Sequence, residues 1–370
     1  MSTNNLALNG DETMRQAVDQ FRTRMAAANR QFVQNRISEI DARGLTDEKD
    51  RISLMQRWRH FEVLGRDDEV SYIGPDARYK SNKFRQTREL AAIPALLEDD
   101  PRPLFALDGI YPPYLCTPEA RQIFLDTLQE VFQRQAEAWM AAEGEDPASM
   151  TAIPRCEELG YLVKYTHEVE DPDFRHSGIA PFTAGLDLLR ARFERPPCID
   201  VAEQRAQYYA SVRKDCTWLQ KSLENDDDSD LINKANIAAG PDLDLEVRAG
   251  VVTGTGYVGD YPRWHSAYLY CRKRPEEDVD GKKLPDEDIP DAPKIQEWGW
   301  RVVFMEHEPD MALDQQVLYG RRPRFDSIPE FLDWYASWPD FLDDRELLSL
   351  RRYAKGCETD CESDCEDHKL

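Results

Sequence analysis

The sequence predicts an α+β fold, a mostly antiparallel sheet with packed helices, preceded by a helical N-terminal region over residues 1–115. Three observations lead there. Near the C-terminus, Trp298-Gly-Trp-Arg-Val-Val-Phe304 and Gln316-Val-Leu-Tyr-Gly320 are strand-like runs of β-branched and aromatic residues that lead into a helix over Phe325–Trp334. In the first part of the chain, apolar residues recur at steps of three and four, the period of a helix. No repeated strand–helix–strand rhythm appears, so paired local strands and separate helices are expected rather than a doubly wound parallel sheet.

Taken in order, Met14, Val18, Phe21, Met25, Ala28 and Phe32 alternate steps of four and three, the seam of an amphipathic helix. The expected use of that seam is docking on the chain's own body; self-association through the 14–32 helix is the competing reading. A second helical stretch near Glu48–Leu64 carries Arg51, Arg57, Arg59 and His60, a basic face that could receive an acidic insert. Pro94, Pro101, Pro103, Pro112 and Pro113 predict an ordered loop over residues 94–116 and a module boundary. Thr117-Pro-Glu-Ala120 then starts a helix with cap, proline and acid in order, continuing through Ile123, Phe124, Leu128, Val131, Phe132 and Trp139. Residues 153–165 predict a short capped helix with Leu159, Leu162 and Val163 on its apolar face.

The domain expected over residues 116–350 carries two acidic inserts, 224–230 and 275–293, the second with eight carboxylates. Like-charged, proline-bearing stretches bury too little apolar surface to order themselves, so both read as mobile loops. Between them Leu243–Val252 and Ala267–Arg272 read as strands that pair, with Gly254, Gly256, Gly259 and Asp260 as the turn region. In the closing helix, Asp326 or Ser327 is the cap, Pro329 and Glu330 suit the first turn, and Phe331, Leu332, Trp334, Tyr335 and Trp338 supply the apolar face. Residues 351–370 form an acidic tail in which Cys357, Cys361, Cys365 and His368 have a spacing that on a helix would align three thiols for a soft metal. Six carboxylates interleave with them in the last fourteen residues, which favours a solvated tail and no bound metal.

Hydrophobic residues make 41% of the chain, with 8 Trp, 14 Phe and 15 Tyr, enough for a folded body. Forty-seven basic against 71 acidic residues leave a formal net charge of −24, a field that repels phosphate backbones and anionic lipid. Direct nucleic-acid and membrane binding are therefore disfavoured. Residues 1–20 lack an apolar stretch of signal-peptide type, so an intracellular, cytoplasmic protein is expected, with the nucleus as the other compartment. Cys116, Cys156, Cys198, Cys216 and Cys271 then read as reduced, partly buried small apolar residues.

Few motifs carry chemistry. Gly254-Thr-Gly-Tyr-Val-Gly259 matches the dinucleotide fingerprint, but that site needs a helix opening at the third glycine, and Asp260-Tyr-Pro-Arg-Trp-His265 follows instead. His167-Glu168 lacks a second histidine at zinc-protease spacing, and His265 and His307 are bases only if a carboxylate orients them. No catalytic residue and no cofactor are expected. Tyr257, Tyr261, Arg263 and Trp264 instead have the composition of a protein-interface anchor.

Two stretches together resemble the SUKH superfamily, which includes Syd and fungal regulators of cell-wall glucan synthesis. The first is Ile153-Pro154 followed by Leu159, Leu162 and Tyr165-Thr-His-Glu-Val-Glu-Asp171; the second is the strand, strand and Ser-x-x-Glu-Phe-Leu close over 298–334. The likeness spans about residues 120–345. It implies an α+β domain that acts by binding other proteins, as a toxin neutraliser or a hub of wall and morphogenesis signalling. The expected function is thus a non-enzymatic protein-interaction or regulatory protein. The alternatives are an enzyme using the 254–259 glycines for a nucleotide, with His265 as acid or base, and an acidic immunity or decoy protein.

Overall fold

A computed structural model describes residues 3–56, 89–98, 108–142, 144–146, 148, 152–169, 182–183, 202–225, 246–258, 263–273, 297–307, 316–317, 324–325 and 327–336. Helix α1, Thr3–Ala42, runs beyond the predicted 14–32 segment because no proline interrupts it; Gly44, with φ +67°, ends the turn that closes it. Its buried stripe is Met14, Val18, Phe21 and Met25, then Asn29, Val33 and Ile40; the expected Ala28 is half-buried, and the side chain of Phe32 lies outside the described ones. A straight helix of 3.6 residues per turn drifts about 20° per heptad against a 3.5-residue seam, so the stripe moves one residue on after the second heptad.

That stripe is buried within the chain, against α5 (Glu157–Tyr165) and α7 (Ile328–Tyr335). Gly10 permits the close approach to α5, since a Cβ there would lie 2.9 Å from Tyr161 Cε2. Arg24 pairs with Asp333 of α7 at 2.5 Å and Lys164 of α5 pairs with Asp11 at 2.6 Å. These bridges are exposed, so they orient the helices more than they stabilise them.

Helix α2, Glu48–Gln56, is held to α1 by Arg51, whose guanidinium bonds both Asp41 and Glu48. Arg57, Arg59 and His60 lie outside the described residues. The loop expected over 94–116 holds regular structure at both ends, while residues 99–107, with Pro101 and Pro103, lie outside the described residues. Pro94 sits at the second position of helix α3, Ile93–Glu98, where no amide partner is required, and Ile110–Tyr111 forms strand β1.

Helix α4, Pro118–Ala142, follows the sequence closely: Thr117 Oγ1 accepts from the Ala120 amide at 3.1 Å, and Phe124, Leu128, Val131 and Phe132 are buried. Helix α5 forms without the side-chain cap expected for it, behind a buried Cys156. Helix α6, Ala202–Asn225, was not anticipated; it buries Tyr208, Val212 and Cys216 at four-residue steps and packs on α4. It also makes the first two residues of the 224–230 insert helical, while residues 226–230 and all of 275–293 lie outside the described residues.

The strands form two antiparallel sheets. In the smaller, β1 pairs with β2 (Glu168–Val169), which pairs with β3 (Phe182–Thr183). In the larger, β4 (Glu246–Val258), β5 (Arg263–Lys273) and β6 (Gly299–His307) lie side by side. Two short strands share the far edge of β6: β7 (Gln316–Val317) at Met305 and Glu306, and β8 (Arg324–Phe325) at Val302 and Val303. The observed class is therefore the α+β fold that the sequence predicts.

Helix α7 closes the larger sheet. Ser327, rather than Asp326, caps it, accepting from the Glu330 amide at 3.2 Å. Phe331, Leu332 and Tyr335 are buried, with Phe304 of β6 in ring contact with Tyr335 at 5.6 Å and Phe325 of β8 with Trp334 at 4.9 Å. A single apolar cluster runs from Met14 of α1 to Ala336, so the N-terminal helix shares its core with the sheet.

One carboxylate ties α5 to this close: Glu158 Oε2 accepts from the Ile328 amide at 2.7 Å. Burial pushes its pKa above the ordinary 4.5, with a further push from Glu330, against the downward pull of that hydrogen bond. The folded state therefore holds this proton more tightly than the unfolded chain does. The resulting stabilisation is full below about pH 4.5 and is lost as pH rises through the folded value. Glu158→Gln is expected to flatten that part of the stability–pH curve, measured by urea denaturation from pH 4 to 8; an unchanged slope would refute the assignment.

Candidate interaction surface

Residues 246–258 form one long strand because Val247, Val251, Val252, Thr253, Thr255, Tyr257 and Val258 all favour a pleated surface, and pairing with β5 carries the glycines along. Gly254 and Gly256 lie opposite Ala267 and His265, so the expected turn region is strand up to Val258. Only four residues, 259–262, separate the paired strands, and β5 rather than a helix follows. A pyrophosphate site needs a helix opening at the third glycine, and the next described element is that strand.

The register brings two of the predicted anchors together. Tyr257 lies opposite Trp264, Val258 opposite Arg263, and Trp264 in turn opposite His307 of β6. Directly opposed residues share a face and stand about 4.5–5.5 Å apart at Cβ, so Tyr257 and Trp264 share one face at this end of the hairpin and Arg263 belongs to the other. They belong to strands rather than to a glycine loop, and Tyr261 lies outside the described residues. His265 sits between Gly256 and Glu306 in the ladder.

At the other end of the hairpin is a cluster that sequence reasoning missed. The ladder steps from Val247↔Arg272 to Ala249↔Cys271, leaving Arg248 as the extra residue of a β-bulge. A bulge re-aims its side chain. The Arg248 guanidinium lies 3.9 Å from the Trp139 ring centroid and 5.9 Å from that of Trp298, with Nη2 3.3 Å from Glu145 Oε2. Two stacked indoles and a carboxylate hold the cation largely out of water. Trp300 packs on Phe132 at 4.6 Å and donates through Nε1 to the Pro154 carbonyl at 2.7 Å, fixing the sheet on α4 and the start of α5. No spacing rule links residues 139, 145, 248 and 298; only an arginine inside a strand-like run hinted at them.

A second bulge falls at Thr253, whose hydroxyl donates to the Ala267 carbonyl at 3.1 Å in place of a ladder amide. Beside the first bulge, the Gly250 amide turns away from β5 and donates to Gln135 Oε1 of α4 at 3.1 Å.

The remaining candidates for chemistry are built into the structure. His167 and Glu168 are buried; the His167 amide donates to the Tyr111 carbonyl at 3.0 Å, and the Tyr114 ring stands edge-on to the imidazole at 5.9 Å. Tyr208 donates to the Tyr114 carbonyl at 2.7 Å and accepts from the Cys116 amide at 3.1 Å, joining α6 to the segment before α4. Cys116, Cys156, Cys216 and Cys271 are free thiols. Burial pushes Cys216 up to about 11 and Cys271 up to about 12, which keeps both protonated and poorly nucleophilic. Among the described residues no group of three or more His, Cys, Asp or Glu could hold a metal ion; Cys198 and the 351–370 tail lie outside them.

The fold and this surface define an α+β protein whose long antiparallel hairpin carries an arginine held by two tryptophans at one end and the Tyr257–Trp264 pair of the ladder at the other. No family model matches the chain, and no curated protein or solved structure matches it. Among the described residues no helix is long and apolar enough to cross a membrane.

Proposed function

We propose that this chain is a non-enzymatic protein-interaction or regulatory protein of the cytoplasm, binding its partners through the β4–β5 hairpin. The observation that carries the reading is the register that sets Tyr257 directly opposite Trp264 on one face of the hairpin end, with Arg263 on the other face of the same end, residue types that serve as interface anchors. A net charge of −24 favours partners with basic surfaces and speeds their approach. The resemblance to the SUKH superfamily over about residues 120–345 supports the same class, and within it a hub of cell-wall or morphogenesis signalling is the specific role.

The test is capture of partners from native lysate by the wild-type chain and by Arg263→Ala/Trp264→Ala, each checked for an unchanged melting temperature. Partners held by the wild type are expected to fall at least tenfold with the double variant, about 1.4 kcal/mol or more of binding energy. Equal capture at equal stability would remove this end of the hairpin from the reading. Thermal shift against nucleotides and dinucleotides separates the enzyme alternative, because a ligand at a hundred times its dissociation constant adds about 2.7 kcal/mol. Tight capture of a basic nuclease would instead favour the decoy alternative.

A further inference from the structure

Three groups around the Arg248 guanidinium are placed by contacts of their own. Gly144, with φ +78°, closes helix α4: its amide donates to the Ala141 carbonyl at 3.2 Å and the Glu145 amide donates to the Met140 carbonyl at 2.9 Å, the two bonds of a Schellman close. The backbone of Glu145 is thereby fixed to the end of the helix. Trp139 stands in the last turn of α4, next to the buried Met140, and Trp298 directly precedes Gly299, which pairs with Arg272 at the start of β6. Two indoles and a carboxylate are thus held in place as a cage, a composition that recognises quaternary ammonium and methylated basic groups.

Arg248 fills this cage from the bulge, its guanidinium 3.9 Å from the Trp139 ring centroid and 5.9 Å from that of Trp298. The ladder passes from Val247↔Arg272 directly to Ala249↔Cys271, so Arg248 has no rung of its own and can leave the cage without breaking one. Its side chain is 9% exposed, whereas that of Glu145 is 48% exposed, and both indoles are half-buried. The cation lies inside and the acidic rim reaches water.

From this arrangement we infer that Trp139, Trp298 and Glu145 form a binding site for a soft organic cation, a guanidinium or a methylated ammonium group, and that Arg248 is its built-in competitor. The inference goes beyond the protein-binding reading and does not depend on it. A tethered occupant competes at high effective concentration, so an incoming cation takes the cage only by outweighing Arg248. Guanidinium and methylated ammonium groups suit the site because they are weakly hydrated and exchange water for an indole face, which sodium does not.

The experiment titrates the full chain with methylguanidinium, tetramethylammonium and an otherwise neutral peptide bearing one trimethyllysine, with sodium at matched ionic strength as the control. Calorimetry reads affinity, and the melting temperature reads linkage. Arg248→Ala is expected to bind all three cations at least tenfold more tightly than the wild type and to gain melting temperature with them but not with sodium. Trp139→Leu, which keeps an apolar side chain, is expected to remove both effects when added to Arg248→Ala. Tighter binding of the peptide than of tetramethylammonium supports a partner's side chain as the source of the cation, and the reverse order supports a free ion.

Equal affinity in Arg248→Ala and the wild type, an equal gain with sodium, or binding that survives Trp139→Leu would overturn the inference. If Arg248→Ala does not fold, the wild type decides: tetramethylammonium is expected to speed hydrogen exchange over residues 246–250, as Arg248 is expelled, more than matched sodium does. Identical exchange in the two salts would then overturn it.

Discussion

Phe331→Ala is expected to lower the unfolding free energy by about 3–5 kcal/mol, the range for a large aromatic deleted from a core that relaxes only partly. Phe331 is 0% exposed and stands in ring contact with Phe304 at 6.1 Å, Phe325 at 5.3 Å and Tyr335 at 5.4 Å. Those neighbours come from β6, β8 and α7, so a void there has no single element that can move in to fill it. Urea denaturation monitored by tryptophan fluorescence measures the loss. Trp334→Ala, at a half-buried position on the same helix, should cost less, and an effect under about 1 kcal/mol for Phe331→Ala would show that α7 does not seal the sheet.

Phe21→Ala is expected to cost a similar amount, about 3–5 kcal/mol, because its ring is 1% exposed and stacks on Tyr335 at 6.3 Å between centroids. The pair also permits a sharper test. A double-mutant cycle with Tyr335→Ala should return a coupling of about 0.5–1.5 kcal/mol, the range for aromatic contacts beyond simple burial. The melting temperature of the wild type should stay constant over a hundredfold range of protein concentration, since the α1 seam is buried within one chain. A melting temperature that climbs with concentration would mean that association contributes to stability.

These two positions also show what was legible in sequence. The Ser327 cap, Pro329 and the aromatic face of α7 could be read directly because a cap and a 3.6-residue period are local features. The same holds for Thr117 and α4. Helix α6 was missed because Tyr208, Val212 and Cys216, whose burial marks its packed face, stand in a mostly polar run. The heptad seam of α1 was right for its first four members, after which the buried stripe runs through Asn29 and Val33 while Ala28 is half-buried, as a 3.6-residue period brings about. Gly254 and Gly256 were read as punctuation; eleven residues of β5 pairing with β4 overrode that local preference.

The candidate surface divides along the same line. Tyr257, Arg263 and Trp264 were found because they cluster within eight positions of the chain. The setting of Arg248 was invisible because its partners come from α4, from the segment after it and from the entry to β6. Burial of His167 was equally hidden, since it depends on β1 and β2 meeting across more than fifty residues.

The supernumerary residue at position 248 separates Val247 and Ala249, whose partners Arg272 and Cys271 are consecutive in β5, so the two lie on opposite faces of the sheet. Both are buried. Excising Arg248 would leave every rung in place and both neighbours on their present faces, and would remove only the cation held by Trp139, Trp298 and Glu145. Homologous chains one residue shorter at this point can therefore keep apolar residues on both sides of the gap, and loss of the indoles at the positions equivalent to 139 and 298 is the signature to look for in related sequences.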